Sequence, residues 1–200
     1  MTQIKNNINT YADLTAYNAD TNKDYPNVSY IEGTDEVKYV GEDPALITLT
    51  LRTNGGTDAK LTNTTTNFSK MWVDGVEQEN VTTNYTFTIG NHIVIYKLID
   101  YSIIIEDNFL NCGWLKTITI RDSVTEIKNS AFRNCENLDS ITIYATTPPT
   151  LYYNSTNKNN GAFYNTNNCP IYVPAESVNA YKTAQYWSNI ASRIQAIPSV

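Results

Sequence analysis

Apolar positions are spaced differently in three successive parts of the chain. Over residues 1–44 aliphatic side chains are sparse, and Asn, Asp, Thr and Tyr dominate. A stretch of that kind buries too little apolar surface to fold alone. A short helical start is expected around Asn9 to Asn18, where Leu14 and Tyr17 lie three apart. Beyond it, Tyr25-Pro26-Asn27-Val28-Ser29-Tyr30-Ile31 reads as an extended segment, and Glu36-Val37-Lys38-Tyr39-Val40 as a second strand able to make a hairpin with it.

From Pro44 onward polar and apolar positions alternate. Leu49 and Leu51 flank Thr50, then Tyr85, Phe87 and Ile89 alternate with threonines, and Ile93 and Ile95 lead to Lys97. Period two marks strands with one face inward. Asn54-Gly55-Gly56 and Gly90-Asn91 read as turns. Asp74-Gly75, between Met71-Trp72-Val73 and Val76, reads as a two-residue hairpin loop because both positions accept positive φ. This spacing predicts a small Ig-like β-sandwich over 45–99, with Trp72 at its centre and Leu49, Leu51, Tyr85, Phe87, Ile93 and Ile95 as its wall.

The third part writes one pattern twice. Ile104, Phe109, Cys112, Leu115, Ile118 and Ile120 recur as Ile127, Phe132, Cys135, Leu138, Ile141 and Ile143, each displaced by 23 residues (127 − 104). A period in the low twenties is that of leucine-rich repeats, whose units each supply a strand and a turn to a shared apolar stack. In that frame Ile118-Thr119-Ile120 and Ile141-Thr142-Ile143 are strands, and Phe109 and Phe132 fill the layer behind them.

The segments IEDNFLNCGWLKTITIRDSV and IKNSAFRNCENLDSITI resemble the BspA-like leucine-rich repeat family, whose units read I-x-x-x-A-F-x-x-C-x-x-L-x-x-I-x-I. The first unit departs from the pattern, with Asn108 where the second has Ala131. The resemblance implies that Gly161-Ala162-Phe163 restarts the unit after an insertion over Tyr144 to Asn160. It further implies that Cys169-Pro170 precedes the strand Ile171-Tyr172-Val173, that Pro174 to Lys182 is a closing helix, and that Arg193 to Ile197 is a last strand. Tyr181, Trp187 and Ile190 then belong to the lid that the end of a repeat stack requires.

The fold class so predicted is mainly β: an N-terminal extended attachment segment (1–44), an Ig-like β-sandwich (45–99), and a short leucine-rich-repeat solenoid with a C-terminal capping helix (100–200). The net charge of −6 is uneven. Residues 1–44 hold eight acids and three bases, whereas 45–99 balance four against four. A nucleic-acid partner, which needs a basic footprint, is not expected. Nor is membrane insertion, because no apolar run is long enough to span a bilayer.

Candidate chemistry is thin. Cys112, Cys135 and Cys169 fall at corresponding places in the repeat and read as buried thiols, not a disulfide framework. His92 has no acid or nucleophile beside it in sequence and reads as a surface or capped side chain. No nucleophile motif, phosphate-cradling glycine loop or zinc motif occurs. No enzyme activity, cofactor or metal is therefore expected, although two carboxylates from distant strands, as in glycosidases, would escape a sequence reading.

Between Tyr144 and Asn160, Pro148-Pro149 argues against a continuing helix or a paired strand, and the stretch from Asn154 to Asn160 is polar throughout. Tyr152 and Tyr153 stand in this insertion and Tyr164 just beyond it. Tyrosines amid Asn and Ser suit adaptable binding loops, since a rigid ring gives contact area at small entropic cost. The alternative is that one packs the loop down and the others are idle. These three are the ligand-contact candidates.

The N-terminal wording DLTAYNADTNKDYPNVSYIEGTDEVKYV is similar to attachment segments of structural proteins from tailed phages of Bacteroidales, including crAss-like phages. That resemblance implies attachment to a particle through Tyr25, Pro26, Val28, Tyr30, Ile31, Val37 and Tyr39. An ordinary leader is the alternative. The expected role is a non-enzymatic virion structural protein (head fibre, capsid decoration or tail-associated) on the exterior of the particle. It would contact other virion proteins through residues 1–44, form a homo-oligomer, and adhere to a host surface glycan or protein through the repeat. The competing expectation is a bacterial cell-surface adhesin fragment whose export signal was removed, since the residues after Met1 show no apolar signal core.

Overall fold

The computed structural model describes residues 28–30, 37–39, 45–104, 106–152 and 161–198. Strands β1 (Val28–Tyr30) and β2 (Val37–Tyr39) pair antiparallel, with Val28 opposite Tyr39. The helical start over Asn9 to Asn18 lies outside the described residues, as do Tyr25, Pro26, Ile31 and Tyr153.

Most of the chain is built on one eight-stranded sheet. Its strands in chain order are β3 (Leu46–Lys60), β4 (Phe68–Val73), β5 (Val76–Glu77), β6 (Asn84–Leu98), β8 (Leu115–Ile120), β10 (Ser140–Ile143), β12 (Ile171–Val173) and β13 (Ile194–Ala196). Across the sheet they run β13-β12-β10-β8-β3-β6-β4-β5. The short strands β7 (Ile103–Ile104), β9 (Glu126–Ile127) and β11 (Thr150–Leu151) form a second, three-stranded parallel sheet.

The pairing register puts one inward row across both halves of the chain. Val73, Val94, Leu49, Ile118, Ile141, Ile171 and Ile194 are successive partners across seven strands. All seven are buried. Because a strand alternates faces, the neighbouring outward row reads Trp72, Ile95, Thr48, Thr119, Thr142, Tyr172 and Gln195.

The predicted sandwich is corrected by this topology. Asn54-Gly55-Gly56 makes a bulge inside β3, where the register with β6 shifts between Asn54 and Thr57. Gly90, at φ +138°, likewise lies within β6 and does not end it. Glycine at such places lets a long strand bend without reversing. Without those two reversals the chain lacks the corners a second facing sheet needs, so β3 pairs with β8 and carries the repeat sheet onward. Asp74-Gly75 is the two-residue hairpin loop, both residues at positive φ, with Val73 opposite Val76. Trp72 does not sit in the main core. It packs with Leu46 and Ile95, flanked by Ile93, on the opposite face, whereas Leu49, Leu51, Tyr85 and Phe87 join the main core.

Behind the sheet runs a stack of rings. Phe109 and Phe132 lie 5.3 Å apart at 3°, and Phe132 and Phe163 lie 5.6 Å apart at 6°. Phe68 extends the stack at one end and Trp187 at the other. Cys112, Cys135, Cys169, Leu115, Leu138, Ile120 and Ile143 fill the space around it, all buried.

The insertion is shorter than expected. Ala145, Pro149 and Leu151 are buried, and Leu151 pairs with Ile127, so residues 145–151 belong to the third unit despite the Pro148-Pro149 pair. Proline only has to stay out of the paired positions themselves.

Asn108 explains the departure of the first unit. In later units the carbonyl before the Phe accepts the preceding unit's Phe N–H, Ala131 from Phe109 and Ala162 from Phe132. Asn108 has no unit before it, and its carbonyl accepts from Asn63 N–H at 2.8 Å and Thr62 Oγ1 at 2.7 Å. Its side-chain Nδ2 donates to Thr62 Oγ1 at 3.1 Å. The β3–β4 loop thus stands in for a missing unit and satisfies buried polar groups that would otherwise be costly.

The other end is closed by a lid. A 3-10 turn (Ala175–Ser177), helix α1 (Val178–Thr183) and a second 3-10 segment (Trp187–Arg193) lead into β13. Tyr181 donates its hydroxyl to Ala145 O at 2.8 Å, and Trp187 Nε1 donates to Pro149 O at 2.7 Å, both in buried surroundings. Ile190 packs against the core from the same segment.

Candidate functional site

The repeat turns place polar groups in register along one edge. Asn111, Asn134 and Asn165, each two residues after the stacked phenylalanine, have φ of 59°, 59° and 55°. Asparagine is among the few residues that tolerate this left-handed conformation. Asn134 Nδ2 donates to Asn111 Oδ1 at 2.8 Å, and Asn165 Nδ2 donates to Asn134 Oδ1 at 3.2 Å and to Glu136 Oε1 at 2.7 Å.

The exposed Tyr144, Tyr152 and Tyr164 each lie beside a basic group from the preceding unit. Tyr144, Tyr152 and Tyr164 are 41 %, 40 % and 42 % exposed. Arg121 lies 5.5 Å from the centre of the Tyr144 ring, Lys128 Nζ 3.7 Å from that of Tyr152, and Arg133 6.0 Å from that of Tyr164. A cation over a ring face is attractive, which orients these side chains. Tyr152 also donates its hydroxyl to Glu126 Oε2 at 3.3 Å, and Lys128 is ion-paired with the same carboxylate. The Lys128 hydrogen bond holds the Glu126 carboxyl below its ordinary range.

Two of the three ligand-contact candidates meet at one cleft. Tyr152 and Tyr164 line a cavity of about 620 Å³ together with Tyr186, Asn165, Asn168 and Asn189. Phe163 and Ile190 also line it. The remaining candidate, Tyr153, lies outside the described residues.

Tyr186, Asn168 and Asn189 are contributions that the sequence pattern did not single out. Tyr186 sits at φ 65°, at the entry to the 3-10 segment, and only the fold-back of the lid brings it to the repeat. Arg193 is the charged residue of the lining, and its guanidinium is occupied internally. Nε donates to Cys169 O at 2.8 Å, Nη1 to Phe163 O at 3.3 Å and Nη2 to Thr166 Oγ1 at 2.9 Å.

The remaining candidate groups have structural partners. Cys112, Cys135 and Cys169 are free and buried. Burial pushes the Cys112 thiol up to about 12 and raises Cys135 and Cys169 as well. Reactive thiolates need the opposite environment. His92 is buried, not at the surface: Nδ1 is 2.7 Å from Asp74 Oδ2, Nε2 is 3.0 Å from Thr88 O, and the ring packs on Phe87. Asp74 also accepts Ile93 N–H at 2.9 Å, so the His92–Asp74 pair braces the β4–β5 turn against β6. Among the described residues no group of three His, Cys, Asp or Glu side chains is placed to hold a metal. Among the same residues no helix is long and apolar enough to cross a membrane.

Of the particle-attachment candidates, Val28, Tyr30, Val37 and Tyr39 are brought together by the β1–β2 pairing.

Successive units of the C-terminal half thus stack through parallel strands, with an aromatic row inside and a lid at the end. Residues 102–194, a little under half of the 200-residue chain, match the family model described as BspA type Leucine rich repeat region, in six copies. No curated protein matches the chain.

Proposed function

We propose that this protein is a non-catalytic adhesion module that joins one surface to another. The observation that carries the proposal is the stack of Phe109, Phe132 and Phe163, which makes the repeat half a rigid scaffold. On it, Tyr144, Tyr152 and Tyr164 are held exposed beside cations. Exposed, oriented aromatic side chains on rigid elements are suited to binding, because little side-chain entropy is lost on contact. The BspA-type match supports the same role, since that family is one of repeat and adhesion proteins.

The more specific form of the proposal places the chain on the exterior of a phage particle. Residues 1–44 tie it to other virion proteins, and the repeat reaches a glycan or protein on the host. The resemblance of the N-terminal wording supports that form. The excess of acidic residues in the same segment favours a basic partner surface. Particle symmetry would make the protein a homo-oligomer.

Labelled full-length chain should bind host cells, and mass-spectrometric counting should find it on purified particles. A chain lacking residues 1–40 should keep the melting transition of the remainder but be missing from particles. Retention of the shortened chain at full copy number would refute the attachment role. Absence of cell binding by the intact chain would refute the adhesion role.

A further inference from the structure

We infer that the cleft between the third repeat unit and the lid is a binding site for a neutral oligosaccharide. The inference rests on the adhesion role proposed above and specifies where and through what chemistry it acts. Three tyrosines from separate parts of the chain converge there: Tyr152 after β11, Tyr164 in the turn after Phe163, and Tyr186 at the entry to the last 3-10 segment. Between them stand the amides of Asn165, Asn168 and Asn189. The volume, about 620 Å³, falls in the ordinary range of small-ligand sites.

The charge pattern narrows the ligand. Arg193 directs its guanidinium to Cys169, Phe163 and Thr166, within its own domain core. Lys128 and Glu126, beside Tyr152, neutralise one another. The described lining therefore presents aromatic faces and amides, and its guanidinium has its N–H groups turned to protein acceptors. A cationic group entering it would lose hydration without gaining a counter-charge, and an anionic one would find the Arg193 N–H groups already engaged by protein acceptors.

A pyranose ring answers both features. Its C–H face packs on a tyrosine ring, and its rim of hydroxyls donates to the amide oxygens of Asn165, Asn168 and Asn189 and accepts from the Nδ2 groups of Asn168 and Asn189, since Asn165 Nδ2 already donates to Asn134 and Glu136. A peptide fits less well. An added strand needs a long free edge, and β11 at this cleft is two residues long.

The test uses the full chain and a panel of maltotriose, mannotriose, xylotriose and N,N′,N″-triacetylchitotriose. Trigalacturonic acid serves as the acidic comparison and a proline-rich peptide as the protein-like one, all measured by calorimetric titration. At least one neutral trisaccharide should bind, and Tyr164→Ala and Tyr152→Ala should each weaken it by about tenfold or more. Tyr101→Ala, also exposed but outside the cleft lining, should stay within about twofold of the unmodified chain. Melting curves establish that each variant is folded, and since Tyr164 is exposed, that variant stands even if Tyr152→Ala loses stability.

Preference for the acidic sugar or the peptide would overturn the inference. So would unchanged affinity in both cleft variants, or no binding to any neutral member. If the panel fails while the chain still adheres to cells, the ligand assignment falls and the adhesion role stands. If adhesion also fails, both fall.

Discussion

Replacing Phe132 with alanine tests the repeat core at its centre. The ring is fully buried and lies parallel to Phe109 at 5.3 Å and to Phe163 at 5.6 Å, so its removal opens a void between two rings that cannot both close it. A buried Phe→Ala change costs about 3–5 kcal/mol, and each aromatic pair adds about 0.5–1.5 kcal/mol beyond burial. Two pairs are lost here, which puts the expectation in the upper part of that range, about 4–5 kcal/mol. For a chain of this size each kcal/mol moves the midpoint by about 2–4 °C, so a fall of roughly 8–20 °C is expected. Thermal unfolding followed by circular dichroism measures it, with Tyr144→Ala as the exposed control, expected to change stability by less than about 0.5 kcal/mol. Pairing Phe132→Ala with Phe109→Ala in a double-mutant cycle should give a coupling of about 0.5–1.5 kcal/mol. A midpoint shift below about 2 °C for Phe132→Ala, which corresponds to a loss of no more than about 1 kcal/mol, would refute the stacked core.

Three further outcomes follow from the same packing. Trp187→Phe keeps a ring but strands the buried Pro149 carbonyl, so about 1–3 kcal/mol of stability should be lost; unchanged urea unfolding would show that the lid is not clamped there. Asn134→Ala should be less stable than Asn134→Gly, because the residue sits at φ 59°, where an alanine is penalised by about 1–2 kcal/mol and glycine is not; the reverse order in denaturant titration would refute this. Burial raises the Cys112 and Cys135 thiols, so the folded chain keeps protons that the unfolded chain releases above its ordinary thiol range near 9. Stability is therefore complete below about pH 9 and falls as pH rises from there toward about 12, by about 1.4 kcal/mol per pH unit for each of these two thiols; equal urea midpoints at about pH 8 and about pH 10.5 would refute it.

The inward side chains of the repeat were readable because a stacked unit must offer the same shape at the same place each time. The ring row of Phe109, Phe132 and Phe163 and the strand row of Ile118, Ile141 and Ile171 are written as spacings. The cleft was readable only in part. Tyr152 and Tyr164 stood out among polar neighbours, whereas Tyr186 and Asn189 lie in a lid whose local pattern gives no sign that it folds back. Asn63 and Thr62, which imitate a missing unit, look like any threonine-rich loop until they are seen donating to Asn108 and its neighbours.

By itself the sequence determined what repeats: the 23-residue spacing, the alternation of each strand, and the Asp74-Gly75 reversal follow from local periodicity and backbone sterics. Tertiary structure alone decided what those strands join. Gly55, Gly56 and Gly90 permit a bend or a reversal equally well, and the choice depends on a partner far away in the chain. With β8 available to pair with β3, the bend buries Ile47, Leu49 and Leu51 against Ile120, Ile118 and Leu115, and one sheet takes the place of a separate sandwich.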